Sequence, residues 1–235
     1  MSVGRADGRR VSEFGGLRKP SLKTNKRTFK TMAPLPDATC ILRGALIRAM
    51  SGDVPVETLK IGDFVQSAIT GEFRPIRWIG RRTLSGSALD TERLRKVHLP
   101  VRIARDAFGP AVPERDLHIS PGHAIILGEH GVSARLLMNG TSIAQVEAMA
   151  SIAYFHIELD THDSVFANGL PIETYLESDN RHAYDNAAEY EALYPGDDPR
   201  VQVPCVKIDI PLALLELIRS KLNERAALLR VAETA

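Results

Sequence analysis

The residues best suited to covalent chemistry near neutral pH are two cysteines, Cys40 and Cys205, and seven histidines. Cys40 follows Thr39. A thiolate at Cys40 that attacks the carbonyl of the residue before it closes a five-membered ring and exchanges the Thr39–Cys40 peptide bond for a thioester. The exchange runs uphill, because an amide is more stable than a thioester, and the nitrogen leaves poorly until it is protonated. An acid beside that nitrogen and a base beside the thiol are therefore needed. His123, three residues after Ser120, is the candidate acid, since imidazole titrates near neutrality. The Ser120 hydroxyl is a candidate donor to the scissile carbonyl or a support for the histidine. His156, between Phe155 and Ile157, is a candidate acid-base partner. Duller roles compete: a lone cysteine is often a small buried hydrophobe, His123 opens an apolar run as a core histidine would, and His156 fits a solvated strand face. His118 and His162 read as structural and Cys205 as inert, and the spacing of these residues asks for no metal and no cofactor.

The elements that must hold these residues are mostly strands. From Cys40 to Tyr175 short β-type runs alternate with turn signals, which predicts an all-β architecture. The expected strands are 40–50, 63–69, 73–84, 96–103, 117–127, 134–138, 153–159 and 164–167. Turns are expected at Ser51-Gly52-Asp53, Thr70-Gly71-Glu72, 128–131, and at Asn139-Gly140 and Asn168-Gly169, both suited to type I′ hairpins. Residues 177–194 are polar and read as helical or irregular. Beyond Pro211, Leu212, Leu215, Ile218, Leu222, Ala226 and Leu229 trace one face of an amphipathic helix.

Composition bounds the class. With 44% hydrophobic and 25% charged residues the chain can bury a core and is not disordered by composition. Residues 1–31 carry nine Lys or Arg against Asp7 and Glu13, a charge of +7; with +1 overall, the remainder stands at −6. This basic, Gly- and Pro-containing stretch reads as a flexible arm, and with only Phe14 and Phe29 as aromatic platforms it gives no strong nucleic-acid signal. No secretory signal and no membrane-length apolar run is visible, so a cytoplasmic location is expected.

Three blocks resemble the Hedgehog/intein (Hint) autoprocessing family, in a bacterial version. The first runs from Cys40-Ile41-Leu42-Arg43-Gly44-Ala45 through Ser51-Gly52-Asp53 to Ile61-Gly62-Asp63-Phe64-Val65. The second is Asp116-Leu117-His118-Ile119-Ser120-Pro121-Gly122-His123-Ala124. The third is Tyr154-Phe155-His156-Ile157-Glu158-Leu159-Asp160 with Ser164-Val165-Phe166-Ala167-Asn168-Gly169. The resemblance implies a horseshoe-like, pseudo-symmetric β fold closed by a C-terminal amphipathic helix. It divides the chain into a segment to be processed, 1–39, a Hint domain, 40–175, and a mostly helical extension, 176–235. It implies catalytic roles for Cys40, Ser120 and His123 and cleavage between Thr39 and Cys40, while His156 falls where splicing members often have Asp or Cys, which suits an acid-base partner in a changed second step. The chain's own N-terminal segment is then the substrate, in a single turnover. Splicing members end in His-Asn, but this chain reads Pro171-Ile172-Glu173-Thr174 at that place. One-ended cleavage, or transfer to water, a thiol or an amine, is therefore expected rather than splicing. Sterol-transferring members carry an aspartate where this chain has Gly80, so the resemblance does not bring sterol transfer with it. Two other readings compete: a degenerate Hint fold serving as a binding module, and a Cys-His hydrolase acting on other molecules through an open cleft.

Overall fold

The structure is a computed structural model and describes residues 28–30, 39–197 and 203–233. The basic segment expected as an arm lies outside the described residues, apart from Thr39 and a short strand at Thr28–Lys30. In chain order the strands are β1 (Thr28–Lys30), β2 (Ile41–Leu42), β3 (Leu46–Ala49), β4 (Gly52–Pro55), β5 (Phe64–Gln66), β6 (Phe73–Pro75), β7 (Trp78–Ser85) and β8 (Val101–Ile103). They continue with β9 (Leu117–Ile119), β10 (Ala124–Leu127), β11 (His130–Ser133), β12 (Ile143–Gln145), β13 (Ser151–Glu158), β14 (Ser164–Ala167), β15 (Leu170–Glu173) and β16 (Asp209–Pro211). The helices are α1 (Glu92–His98), α2 (Ala134–Leu137), α3 (Ala187–Leu193) and α4 (Leu212–Glu233).

Two antiparallel sheets carry the domain. One has the order β11-β10-β15-β14-β3-β5-β6 with β4 added to β3, and the other β12-β8-β9-β2-β13-β7. The chain passes between them at three points where a single strand was expected. Gly44, at φ 90, breaks 40–50 into β2 and β3; Ile76-Arg77 separates β6 from β7; and Ser120–His123 separates β9 from β10. A glycine held at positive φ and the Pro121-Gly122 pair supply the turns. These crossings hold the sheets against one core, in which Ile41, Ile47, Val65, Ile103, Ile119, Ile125, Ile157 and Ile172 are fully buried. Branched side chains suit this setting because they pack on a pleat with little rotamer freedom to lose.

Other expectations need correction. Lys96 begins no strand: Thr91 caps α1 by accepting from the Leu94 N–H at 3.2 Å, and only 101–103 are extended. Ala134–Leu137 is one helical turn, and the strand lies just before it, at 130–133, where a turn was expected. Asn168-Gly169 forms the hairpin, with φ 47 and 80. At Asn139-Gly140 the Asn139 side chain instead accepts from the Thr141 and Ile143 N–H groups, closing a loop between α2 and β12. The C-terminal helix forms as expected and buries Leu215 and Leu222 against the main core. No helix among the described residues is long and apolar enough to cross a membrane.

Candidate functional site

The Thr39–Cys40 peptide lies where β2 leaves the six-stranded sheet beside the Ser120–His123 turn. The β2–β9 pairing of Ile41 with Ile119 extends one step further: Ser120 N–H donates to the Cys40 carbonyl at 2.8 Å, and Cys40 N–H donates to Ser120 Oγ at 2.8 Å. Ser120 thus touches the nitrogen side of the Thr39–Cys40 bond and not the Thr39 carbonyl, a correction to one of its two expected roles. The other was to hold the histidine, and it does so only through the backbone, where the His123 N–H donates to the Ser120 carbonyl at 3.1 Å.

His123 is fully buried and neither ring nitrogen has a hydrogen-bond partner. Burial drives its pKa down to about 3, so the ring is neutral at pH 7 rather than the imidazolium expected of a ready acid. His156, on β13, packs with its ring centroid 5.0 Å from that of His123. Its Nδ1 lies 2.9 Å from the Tyr184 hydroxyl and 3.3 Å from Thr39 Oγ1, and its Nε2 is unpartnered. Only 1% of His156 is exposed, which overturns the solvated-face alternative; the inner half of β13 is covered on both sides. Burial, then the neighbouring His123 and His162, hold its pKa well below the usual imidazole value.

Cys40 is 0% exposed, and burial pushes its thiol up to about 12 against a lowering influence of Arg82 and Tyr184. It is a thiol at rest. A site this closed does not match a Cys-His hydrolase working through an open cleft. Nearby, Glu173 is buried with one oxygen accepting from Ala124 N–H at 2.8 Å, and burial raises its carboxyl to about 8. His162 accepts from the Cys205 N–H at 2.9 Å through Nδ1, which is the structural use expected of it.

Tyr184 completes the set. Its hydroxyl donates to the Thr39 carbonyl at 3.0 Å, so the two polar ends of the peptide unit meet separate side chains. Its ring packs edge-on to Trp78 and Tyr175 in a cluster that contains Cys40. Sequence reasoning passed over this residue because 177–194 looked merely polar. A signal was available: four of the five tyrosines, Tyr175, Tyr184, Tyr190 and Tyr194, fall in one twenty-residue window. All four site residues expected from the sequence thus lie around one peptide bond or beside a residue that does. Ser120 contacts it, His156 meets the Thr39 side chain and Tyr184 beside it, and His123 reaches it only through its neighbours.

A family profile described as Hint domain matches residues 39–179. Among solved structures, the bacterial intein-like domain from Clostridium thermocellum is similar at 14% identity, over 59% of this chain and 99% of that one, with a TM-score of 0.40. A DnaB intein from Synechocystis sp. PCC 6803 is similar at 12% identity, over 59% and 100%, with a TM-score of 0.40. The Ssp DnaB mini-intein variant M86 is similar at 12% identity, over 61% and 99%, with a TM-score of 0.43. No curated protein matches the sequence.

Proposed function

The chain belongs to the Hint-domain family, and from that premise we propose that it is an autoprocessing domain that forms an internal thioester at Cys40 and releases residues 1–39 by one-ended cleavage. The observation that carries this reading is the grip on one peptide unit: Cys40 N–H on Ser120 and Thr39 C=O on Tyr184, inside a histidine-lined interior. Attack by Cys40 Sγ on the Thr39 carbonyl carbon forms the C–S bond and breaks the C–N bond. The thiol proton leaves sulfur and the Cys40 nitrogen gains one, so the step needs no net proton. That balance suits neutral histidines. His156, with an unpartnered Nε2 and a neutral ring, takes the thiol proton, and the His123–His156 pair returns it to the departing amine. A water, thiol or amine then attacks the thioester and frees the Cys40 thiol.

Where splicing members end in His-Asn this chain reads Pro171-Ile172-Glu173-Thr174, which offers no asparagine to cyclise. The expected product pair is therefore an N-terminal fragment ending at Thr39 and a fragment beginning with Cys40. Incubation of the full chain with a small thiol, followed by intact-mass measurement, tests this. A spliced product, or a cut on the C-terminal side of the domain, contradicts one-ended processing.

A further inference from the structure

The segment that brings Tyr184 to the site lies beyond the residues matched by the Hint-domain profile, which end at 179. It is held along β7, the last strand of the six-stranded sheet, whose outer edge would otherwise expose a row of unpaired backbone groups. Asp185 N–H donates to the Arg81 carbonyl at 2.8 Å. The Asn186 side chain accepts from Arg81 N–H at 2.7 Å and donates to the Ile79 carbonyl at 2.9 Å. Asp185 Oδ2 accepts from Thr83 N–H at 2.7 Å, and Tyr194 OH donates to the Arg77 carbonyl at 2.8 Å. Arg181 adds an anchor, bonding Glu158 at 2.5 Å and Glu177 at 2.7 Å while its guanidinium lies 3.4 Å from the Tyr190 ring centroid. Tyr184 is therefore fixed from both sides in the chain and does not hang from a loose loop.

Gly80 makes the approach possible. It faces His156 across the β7–β13 ladder, and a Cβ placed there would lie 2.6 Å from Tyr184 Cδ1 and 2.8 Å from Cε1. The tyrosine ring fills the space a side chain at position 80 would take. With its single proton donated to the Thr39 carbonyl, the phenol oxygen is free to accept, and the 2.9 Å contact is the one an Nδ1–H tautomer of His156 makes. Nε2 is then the basic nitrogen, and it is the one left unpartnered.

We infer that Tyr184 is a catalytic residue, the donor that stabilises negative charge on the Thr39 carbonyl oxygen, and that residues 180–197 belong to the reacting unit rather than to an appendage. The assignment rests on the thioester reading. As Sγ adds to the carbonyl carbon, the π electrons move onto the oxygen and the Tyr184 O–H bond to it strengthens. When the intermediate collapses and the C–N bond breaks, the charge returns to the carbonyl and the phenol keeps its proton. A donor already in place at 3.0 Å pays no reorganisation cost at the moment of reaction.

The test compares the full chain with Tyr184→Phe and Gly80→Ala. Hydroxylamine is raised until fragment release no longer accelerates, so that thioester formation sets the rate, and release is read by intact mass. Tyr184→Phe removes one oxygen and is expected to lower the plateau about a hundredfold, the scale of losing one such donor, with circular dichroism and Trp78 fluorescence unchanged. Gly80→Ala is expected to lower it in the same direction by pushing the ring off the carbonyl. A full chain that cleaves, beside a folded Tyr184→Phe chain with the same plateau, overturns the assignment and leaves the thioester reading standing. A full chain that releases nothing overturns both. Should Tyr184→Phe fail to fold, an unchanged plateau in Gly80→Ala overturns the assignment alone.

Discussion

The two apolar clusters of this molecule are built differently. The larger lies between the sheets and is aliphatic, set by residues such as Ile47, Ile125, Val165 and Ile172. The smaller holds Cys40 and is aromatic: Cys40 shares it with Trp78, Tyr154, Tyr175 and Tyr184, and Trp78 meets Tyr175 and Tyr184 edge-on at 6.0 and 5.5 Å. Buried polar atoms without a partner occur on both sides, Ser133 Oγ and Ser164 Oγ lying on strands of the larger sheet. Beside the aromatic cluster both nitrogens of His123, Nε2 of His156 and Nε1 of Trp78 are buried without a partner. Each such atom costs on the order of 1–3 kcal/mol, a cost carried beside the bond proposed to react. The aliphatic cluster supplies the stability that tolerates it.

Substitutions can break this division. Ile125→Ala, in the aliphatic cluster, should lower unfolding free energy by about 3–4 kcal/mol while leaving the cleavage rate of the folded protein unchanged, as urea titration and fragment release would show. His123→Ala should do the reverse. Removing an unsatisfied imidazole should cost little stability, but cleavage should slow by roughly a hundredfold on losing a positioned proton carrier. Equal effects of both changes on rate would dissolve the distinction between core and site.

Titration sharpens the comparison. His123 and His162, held down to about 3 and about 4 from an ordinary 6.5, contribute stability that is present above pH 6.5 and lost as pH falls through those values. Glu173, raised from 4.5 to about 8, acts oppositely: its contribution is fully present below 4.5 and lost as pH rises through 8. Urea midpoints should therefore decline on both sides of neutrality, with each group adding at most about 1.4 kcal/mol per pH unit. Glu173→Gln should abolish the alkaline decline and spare the acid one. An unaltered alkaline limb would mean that Glu173 is not held protonated. The smallest effect is expected at Cys205, whose backbone N–H rather than its thiol engages His162: Cys205→Ser should leave the cleavage rate unchanged, and a loss of rate would bring the second cysteine into the chemistry.

The aliphatic cluster and the amino side of the site were legible in the sequence, because period-two runs and the Ser120-Pro121-Gly122-His123 turn are local signals. Cys40 and Ser120 come from blocks 80 positions apart and meet in the structure. What escaped was non-local or conformational. Nothing local marks the breaks at Gly44 and Ile76 as passages between sheets, since a strand that changes sheet keeps the same alternation. Tyr184 was hidden because its partner is a backbone carbonyl 145 positions away. Its support comes from Asp185 and Asn186, residues that ordinarily mark loops. The protonation of His123 was misjudged for a related reason: an imidazole's ordinary titration was assumed, and burial, which no spacing encodes, removed it.

The proposed thioester is tested most directly by the chemical form of the released fragment. The full chain and Cys40→Ala are incubated with hydroxylamine and the products weighed. The account predicts a Thr39-terminated hydroxamate and a fragment beginning with Cys40 from the full chain, and no cleavage from Cys40→Ala. Cleavage of Cys40→Ala at the same bond, or release from the full chain of a free carboxylate that hydroxylamine neither accelerates nor captures, would contradict it.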